Sequence, residues 1–430
     1  MQQILILGAG KSATILIETL IGEAERKDLL IHVADVNKNL AETKTGGHPF
    51  SRVHVIDPND PHDLERVIAE ANANIVISML PPPLHPLAAS ICLKLKMHFL
   101  NASYLTANIQ ALHNEVRDAG LTFICELGLD PGIDHMSAME MIDEIRKCGG
   151  QITSFRSHCG GLISPESDTI PWHYKISWNP KNIVMAGSDG ASYLEHGHEL
   201  FVPYNKLFNE EQLVNVPSHG SWSWYANRDS ISYISKYGLN GVLDFVRTTL
   251  RHPDFCHGWK HIVGLGMTND GNTGCITDMT TRRFFELHSQ KTDSSSWDLL
   301  TLKLFRYLGF FDDEPLPDGE FSSAGILQWI LERKFALSTD DKDMIIMLHE
   351  IGFKLGEENY NRTAHLVVSG KDEQHTAMAA TVGLPLAVAA LAILEDKITL
   401  RGVSIPIHRE IYSVILPELE KKGLKFIYSD

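Results

Sequence analysis

The sequence has little positive charge and no basic stripe. Its 430 residues include 38 Lys and Arg against 54 Asp and Glu, which gives a formal net charge of −16. Nucleic-acid binding needs clustered Lys and Arg to neutralise phosphates. We therefore expect no nucleic-acid partner.

Cysteine is also scarce, and its spacing excludes two classes of site. The six cysteines contain no CxxC pair, and several lie inside apolar runs. The histidines form no H-E-x-x-H or comparable spacing. The pattern favours a reducing compartment over a disulfide framework, and it predicts no metal site.

One apolar run approaches the length of a membrane span. It covers residues 376–394, is rich in Ala, contains Gly383 and Pro385, and has no flanking basic cluster. We interpret it as a buried helix and expect no membrane partner. The amino-terminal MQQILILGAG lacks the basic region and cleavage site of a signal peptide, so we expect a cytoplasmic location.

What the sequence does contain is an alternation of strand and helix patterns over its first 125 residues. Apolar runs such as QILILG, LLIHVADV and NIVISML indicate buried strands, and amphipathic stretches such as DLERVIAEA lie between them. This alternation predicts an α/β fold with a parallel, doubly wound sheet.

A second pattern begins near residue 150. QITSFRSHCGG, YKISW, NIVMAG, CITDMTTRRFFEL and RTAHLVVSG are strand-like and separated by polar loops, which predicts an α+β domain on a mixed sheet. Helical spacing then dominates residues 295–352. The loop DDEPLPDGEFSS divides that helical stretch.

A glycine-rich turn directly follows the first strand. Gly8, Gly10 and Ala13 match G-x-G-x-x-[GA], and Lys11 and Ser12 lie within the motif. Gly8 permits the tight turn, Gly10 lets the backbone approach a pyrophosphate, and Ala13 allows close helix packing. The start of the helix offers N–H groups to phosphates, so the motif predicts dinucleotide binding.

The second strand ends in an acid, which bears on the choice of nucleotide. Asp35 can bond a ribose 2′-hydroxyl and repel a 2′-phosphate, so it favours NAD; nearby Asn37 and Lys38 leave NADP possible. Leu80 and Pro81, in SMLPPPLHP, follow the fourth strand and are candidate contacts to the nicotinamide half. The alternative is a rigid loop with no contact.

Three polar stretches are expected at strand ends. NASYLT follows the fifth strand, ELGLDPGIDH the sixth, and SHCGG the first strand of the next domain. In open α/β sheets ligands bind at the carboxyl ends of the strands. Asp134 and His135 in the second stretch fit either a proton shuttle or a hydrogen-bonded structural pair.

Five motifs occur in register along the chain and together resemble the L-glutamate-forming saccharopine dehydrogenase family, also called saccharopine reductases. The motifs are GLDPGIDHMSAM, SHCGGLISPES, YKISWNPKNIVMAG, YANRDSISY and MAATVGLPLAVA. The resemblance implies a Rossmann domain (1–127 with about 376–430), an α/β substrate domain (128–294 with about 353–375) and a small helical insertion (295–352). It also implies NAD(P)-dependent interconversion of saccharopine with L-glutamate and α-aminoadipate δ-semialdehyde in lysine metabolism, and possible homodimers.

The resemblance further assigns roles to individual residues. It places Tyr104, Asp130 and Cys159 around the reacting amine. It assigns substrate binding to Ser103, Gly160, Arg228 and Thr381, because the substrate carries three carboxylates. The alternatives from the residues alone are a packing role for Tyr104, a helix cap for Asp130, an inert buried thiol for Cys159, and a surface ion pair between Arg228 and Asp229.

Two other functions remain open from the sequence. A related imine reductase with the same fold would act on a carboxylated polyamine or another amino-acid conjugate. A protein of a different class, a non-catalytic module that senses NAD(P)(H), would need the dinucleotide-binding domain but no turnover.

Overall fold

The computed structural model of the chain describes residues 1–209, 212–271, 273–290 and 297–429. Within these ranges the strands are β1 (Gln2–Leu7), β2 (Leu29–Asp35), β3 (Ser51–Val55), β4 (Ile75–Ser78), β5 (His98–Asn101), β6 (Thr122–Ile124), β7 (Gln151–Ile163), β8 (Ala191–Glu195), β9 (His198–Val202), β10 (Gln212–Val216), β11 (Gly220–Ala226), β12 (Asp244–Arg251), β13 (Thr273–Ile276), β14 (Gly319–Ser322), β15 (Asp343–Leu355), β16 (Glu358–Ser369), β17 (Gly402–Ser404) and β18 (Ile427–Ser429).

The helices connect these strands along the chain. They are α1 (Thr14–Ala24), α2 (Lys38–Thr45), α3 (Pro61–Ala71), α4 (His85–Lys94), α5 (Ala107–Gln110), α6 (His113–Asp118), α7 (Ile133–Lys147), α8 (Pro180–Val184), α9 (Ile231–Lys236), α10 (Pro253–Gly264), α11 (Thr281–Ser289), α12 (Leu299–Tyr307), α13 (Ser323–Lys334), α14 (Ala377–Leu394) and α15 (Arg409–Lys421).

The chain divides into two compact units. Unit 1 comprises Met1–Gly149 and Gln374–Phe426, and unit 2 comprises Gly150–Glu373 and Ile427–Asp430. The sheet of unit 1 has the order β17-β6-β5-β4-β1-β2-β3, and every neighbouring pair is parallel. This is the doubly wound Rossmann order extended by one strand, which confirms the predicted fold class.

Unit 2 contains the predicted mixed sheet. Its main strand order is β10-β11-β12-β7-β15-β16-β18, in which β12 and β7 are parallel and the other neighbouring pairs are antiparallel. A separate core of aromatic and aliphatic side chains fills the helical part, where Trp172, Phe255 and Trp259 pack with residues of α12 and α13.

The observed units differ from the predicted domain boundaries. Helix α7 belongs to unit 1, where the Tyr412 hydroxyl of α15 donates to Asp143 of α7 over 2.6 Å. Strand β18 belongs to unit 2 because it pairs with β16. The predicted helical insertion 295–352 ends too late, since β15 pairs with β7 and β16; residues 295 and 296 lie outside the described ranges.

Some predicted strands are also wrong. NIVMAG contributes to α8, because Asn179 caps the helix through the Lys181 N–H and Pro180 occupies its first turn. YKISW contains only an isolated bridge at Ile176. CITDMTTRRFFEL divides into the end of β13 and helix α11, which Thr280 caps. In each helix the capping residue outweighed a short apolar run.

The apolar run at 376–394 forms α14, a helix long and apolar enough to cross a membrane by length and composition. In the structure 78% of its window is buried, which agrees with the predicted core helix. Gly383 lies where α14 meets α1, because a Cβ atom there would come within 2.8 Å of the Leu16 backbone nitrogen. The close approach of the two helices requires glycine.

We predict that Gly383→Ala destabilises the protein by about 1–3 kcal/mol, because the added methyl group must displace the backbone of α1. Gly22→Ala in α1 is the matched control, since its Cβ would meet nothing within 4 Å. That substitution should stabilise the helix by up to about 1 kcal/mol. Chemical denaturation of both variants measures the difference, and equal effects would contradict the packing argument.

Candidate functional site

The glycine-rich turn of unit 1 has the geometry that its motif predicts. Gly8 has φ +101°, and a Cβ there would lie 3.0 Å from the Met79 carbonyl oxygen, so the turn requires glycine. A Cβ on Gly10 would meet nothing within 4 Å, which leaves open space beside the loop. Lys11–Ala13 form a 3-10 turn that leads into α1. These residues fit a dinucleotide pyrophosphate at the helix start.

Asp35 lies at the end of β2, as predicted, and contacts the glycine-rich turn. Its Oδ2 accepts the Ala9 N–H over 2.6 Å, and its Oδ1 accepts the Asn37 N–H over 2.8 Å. The carboxylate therefore fixes the conformation of the turn. Its charge disfavours a second anion at this position.

Sequence reasoning missed Lys44 in this part of unit 1. Its ammonium group donates to the Gly10 carbonyl over 2.5 Å and to the Thr14 hydroxyl over 2.8 Å. Burial lowers the pKa of Lys44 to about 8, although the Asp35 carboxylate acts in the opposite direction. No local motif marks Lys44, because α2 brings it to the turn through the fold.

The loop after β4 is connected to the loop after β5 through His85. The Ser78 hydroxyl and His85 Nδ1 are 2.9 Å apart, and His85 Nε2 is 2.9 Å from the Ser103 hydroxyl. Burial lowers the pKa of His85 to about 4, so the ring is neutral near pH 7. Leu80 is buried and Pro81 exposed at the start of this connection. The buried His85 ring therefore orients the Ser103 hydroxyl.

Asp130 occupies a tight backbone turn between β6 and α7. The Gly128 N–H donates to Pro131, and the Ile133 N–H donates to Gly128, each over 2.9 Å. Gly132 has φ +149°, and a Cβ there would lie 2.1 Å from the Gly128 oxygen. Gly132, not Asp130, is the N-cap residue of α7. The helix-cap alternative for Asp130 is therefore wrong.

A buried pair joins this turn to the loop of Tyr104. Glu126 Oε2 is 2.8 Å from His135 Nε2, and Glu126 Oε1 accepts the Leu105 N–H over 3.0 Å. The Glu126 N–H donates to the Ser103 carbonyl over 2.9 Å. His135 is fully buried, which agrees with the structural alternative. Tyr104 is half-buried. Its neighbours in the chain, Ser103 and Leu105, are both hydrogen-bonded to Glu126 through their backbone atoms.

Thr381 is the residue whose hydroxyl the resemblance assigns to a substrate carboxylate. It lies in α14, is fully buried, and donates its hydroxyl to the Ala377 carbonyl over 2.8 Å. A hydroxyl has one proton to donate, and the helix backbone already accepts it. The structure therefore favours a packing role for Thr381.

Cys159 and Gly160, two candidate residues of unit 2, lie within β7 rather than after it. Cys159 is buried and pairs with Thr249 of β12 and Met347 of β15. A Cβ on Gly160 would come within 2.7 Å of the Leu250 carbonyl oxygen, so strand packing alone requires that glycine. The prediction that SHCGG follows a strand is wrong because β7 continues to Ile163.

The face of β12 that carries Thr249 also carries two buried arginines that sequence reasoning missed. Side chains alternate along a strand, so Arg247 and Arg251 share the face of Thr249 and its neighbour Cys159. Arg251 is 4% exposed, and its Nε has no hydrogen-bond partner among the described residues. Burial raises the pKa of neighbouring Tyr225 to about 12, against the effect of Arg251.

A buried guanidinium is costly unless an anion accompanies it. The sequence feature that could have identified these arginines is the segment DFVRTTLR. In it, two arginines four residues apart interrupt a run of apolar and β-branched residues. Arg228, in contrast, is 54% exposed and has a φ of 48°; its Nη1 is 3.7 Å from Asp189 Oδ2. The Asp189 carboxylate is thus one ionic partner of Arg228.

Comparison with known proteins identifies both parts of the chain. The profile described as saccharopine dehydrogenase NADP binding domain matches residues 4–124, and that described as saccharopine dehydrogenase C-terminal domain matches residues 128–424. The mitochondrial alpha-aminoadipic semialdehyde synthase of Bos taurus is 32% identical over 99% of this chain. The chain spans about half of that relative's length, 47%.

Two further comparisons cover the whole length of both proteins. The saccharopine dehydrogenase [NADP(+), L-glutamate-forming] of Saccharomyces cerevisiae is 29% identical over 98% of this chain and 97% of the relative. The solved structure of apo histidine-tagged saccharopine dehydrogenase (L-Glu forming) from the same yeast superposes with a TM-score of 0.88 at 27% identity, covering 100% of both chains. The chain therefore belongs to the saccharopine dehydrogenase family.

Proposed function

We propose that this chain is an oxidoreductase that interconverts saccharopine, NAD(P)+ and water with L-glutamate, α-aminoadipate δ-semialdehyde and NAD(P)H in lysine metabolism. The observation that carries the proposal is the match to the yeast L-Glu-forming enzyme over both chains, at a TM-score of 0.88. The open glycine-rich turn and the buried arginines of β12 support it independently.

The products define the bond changes. Glutamate keeps its amine, so the carbon that is oxidised becomes the aldehyde carbon of the semialdehyde. That carbon loses a hydride, the amine nitrogen loses a proton, and water adds to the resulting imine before the carbon–nitrogen bond breaks. The nicotinamide ring, when bound, accepts or donates the hydride.

The chain's own residues supply binding and proton transfer. We assign the dinucleotide to Gly8, Gly10, Lys11, Ser12, Ala13 and Asp35, with Leu80 and Pro81 as candidate contacts. In unit 1, Tyr104 and Asp130 are the candidate proton-handling groups, and the Glu126 carboxylate holds the loop of Tyr104. In unit 2, Cys159 is the third candidate, and Arg228 and Arg251 are suited to the substrate carboxylates.

The preference between nucleotides rests on two opposing observations. The family description and the name of the yeast relative favour NADP, against the order predicted from the sequence. The Asp35 carboxylate at the end of β2 favours NAD. We propose that the chain accepts both nucleotides and that Asp35 limits its efficiency with NADP.

A cytoplasmic location and a homodimer remain proposals. None of the six cysteines, all of which lie in the described ranges, forms a disulfide, which supports a reducing compartment. Light scattering during size-exclusion chromatography measures the oligomeric state directly.

We predict that saccharopine makes the purified protein reduce NAD or NADP, which is measured as an increase in absorbance at 340 nm. Asp35→Asn should raise kcat/KM for NADP on the order of tenfold and lower it for NAD, because it removes a charge that opposes the 2′-phosphate. Asp118→Asn on α6 removes the same charge elsewhere and should change neither value.

Three outcomes would contradict this prediction, and each leads to a different conclusion. Turnover with an unaltered nucleotide preference in Asp35→Asn would overturn the role of Asp35 and keep the enzyme. Turnover of a carboxylated polyamine conjugate instead of saccharopine would indicate the related imine reductase. NADH binding without turnover of either substrate would indicate the sensing module.

A further prediction concerns substrate binding by Arg251 and Arg228. Arg251→Met and Arg228→Met should each raise KM for saccharopine roughly 10- to 100-fold, because each loses a charged hydrogen bond to a carboxylate. The KM for the nucleotide should change little. Arg333→Met is the matched control, since the Arg333 guanidinium stacks on Trp329 at 3.6 Å outside the candidate site. An unchanged saccharopine KM in Arg251→Met would leave that residue a structural role only.

A further inference from the structure

Four side chains of unit 2, none of them assigned above, form a compact cluster. The rings of His173 and His252 lie 3.8 Å apart between centroids, and His173 Nε2 is 3.4 Å from Asp254 Oδ2. One ligand atom from each of these three residues lies within 4.8 Å of the others. Asp168 completes the cluster, with its Oδ2 2.6 Å from His173 Nδ1.

Buried neighbours hold the two histidines in place. His173 lies between Trp172 and Tyr174, which are almost fully buried, and the Trp172 indole donates to the Leu304 carbonyl over 2.9 Å. Both aromatic rings pack against Phe255, which belongs to the first turn of α10 directly after His252 and Asp254. The loop and the helix start are thus fixed against each other by the core beneath the cluster.

Each ring nitrogen of His173 faces a carboxylate. Nδ1 lies beside Asp168 Oδ2, and Nε2 lies beside Asp254 Oδ2. A proton on Nε2 or a metal ion can join Nε2 to the Asp254 carboxylate. Their 3.4 Å separation exceeds an ordinary hydrogen bond and matches the spacing of about 3.3 Å between two donors on a tetrahedral zinc ion.

The other two members are also held beside His173. His252 is the N-cap residue of α10, and its Nδ1 accepts the Asp254 N–H over 3.2 Å. The Asp168 Oδ1 atom is buried and has no hydrogen-bond partner among the described residues. A carboxylate behind a ligating histidine fixes its tautomer and raises its basicity.

We propose that His173, His252 and Asp254 bind a divalent transition-metal ion of the zinc class, with Asp168 as the carboxylate that orients His173. Two imidazoles and one carboxylate suit zinc and leave one position for water. The ion would fasten the loop before His173 to the amino-terminal end of α10. The site does not depend on the proposed oxidoreductase function, and its test does not use activity.

Separate segments contribute the ligands, so no local motif marks the site. This explains why the sequence predicted no metal. The two segments meet only through the aromatic core that Phe255 shares with Trp172 and Tyr174.

The test is titration of the chelator-treated full chain with Co²⁺, followed by competition with Zn²⁺. We expect the wild type to develop the visible absorption of tetrahedral Co²⁺ at an equimolar endpoint, and Zn²⁺ to abolish it. His173→Asn and His252→Asn should each weaken binding at least about tenfold. Asn tolerates the positive φ of 51° at His173, and it is a favoured N-cap residue at His252, so both variants should fold.

His261→Asn is the matched control. His257 and His261 lie one turn apart on α10 with ring centroids separated by 5.6 Å, and they form the competing histidine pair on the same helix. Unchanged Co²⁺ binding in His261→Asn, with loss in the other two variants, would support the site. A wild type that binds no Co²⁺, or His173→Asn that binds as the wild type does, would overturn it. Zn²⁺ should also raise the wild-type Tm and leave that of His173→Asn unchanged.

Discussion

The buried carboxylate of Glu126 holds the candidate site of unit 1 together. It is 1% exposed, bonds His135, and accepts the N–H that follows Tyr104. A buried carboxylate is stable only when its hydrogen bonds are made, so the loops that supply its partners have little freedom to move. The loop after β5 and the turn that contains Asp130 are therefore positioned by one group, which no motif of the sequence singled out as important.

Unit 2 contains buried cationic side chains. Arg247 and Arg251 lie on the inner strand β12, beside Cys159 on the neighbouring strand β7. Aromatic rings partly compensate their charge, since the Arg251 guanidinium lies 4.9 Å from the centre of the Tyr174 ring. Such contacts are weaker than a carboxylate partner. The proposed substrate would supply a carboxylate to Arg251, whose Nε has no hydrogen-bond partner among the described residues.

The predictions from sequence succeeded where one local rule governed the structure. Gly8 and Asp35 lie where the sequence predicted, in the turn after β1 and at the end of β2, because a strand, a tight turn and a helix follow one another within a short segment. The predictions failed where the surroundings of a segment determined its secondary structure. NIVMAG resembled a strand, but Asn179 and Pro180 start a helix there. SHCGG was placed after a strand, yet it lies within β7, which pairs with β12 and β15.

The sequence by itself determined the parallel α/β unit, the dinucleotide turn and the family, because periodicity, turn residues and ordered motifs are local properties of a chain. Only the tertiary structure decided that α7 belongs to unit 1, that the Thr381 hydroxyl donates to its own helix, and that Lys44 reaches the glycine-rich turn. It also brought His173 to His252 and Asp254. Long-range packing sets these contacts, and burial then determines which polar groups are charged and which partners they need.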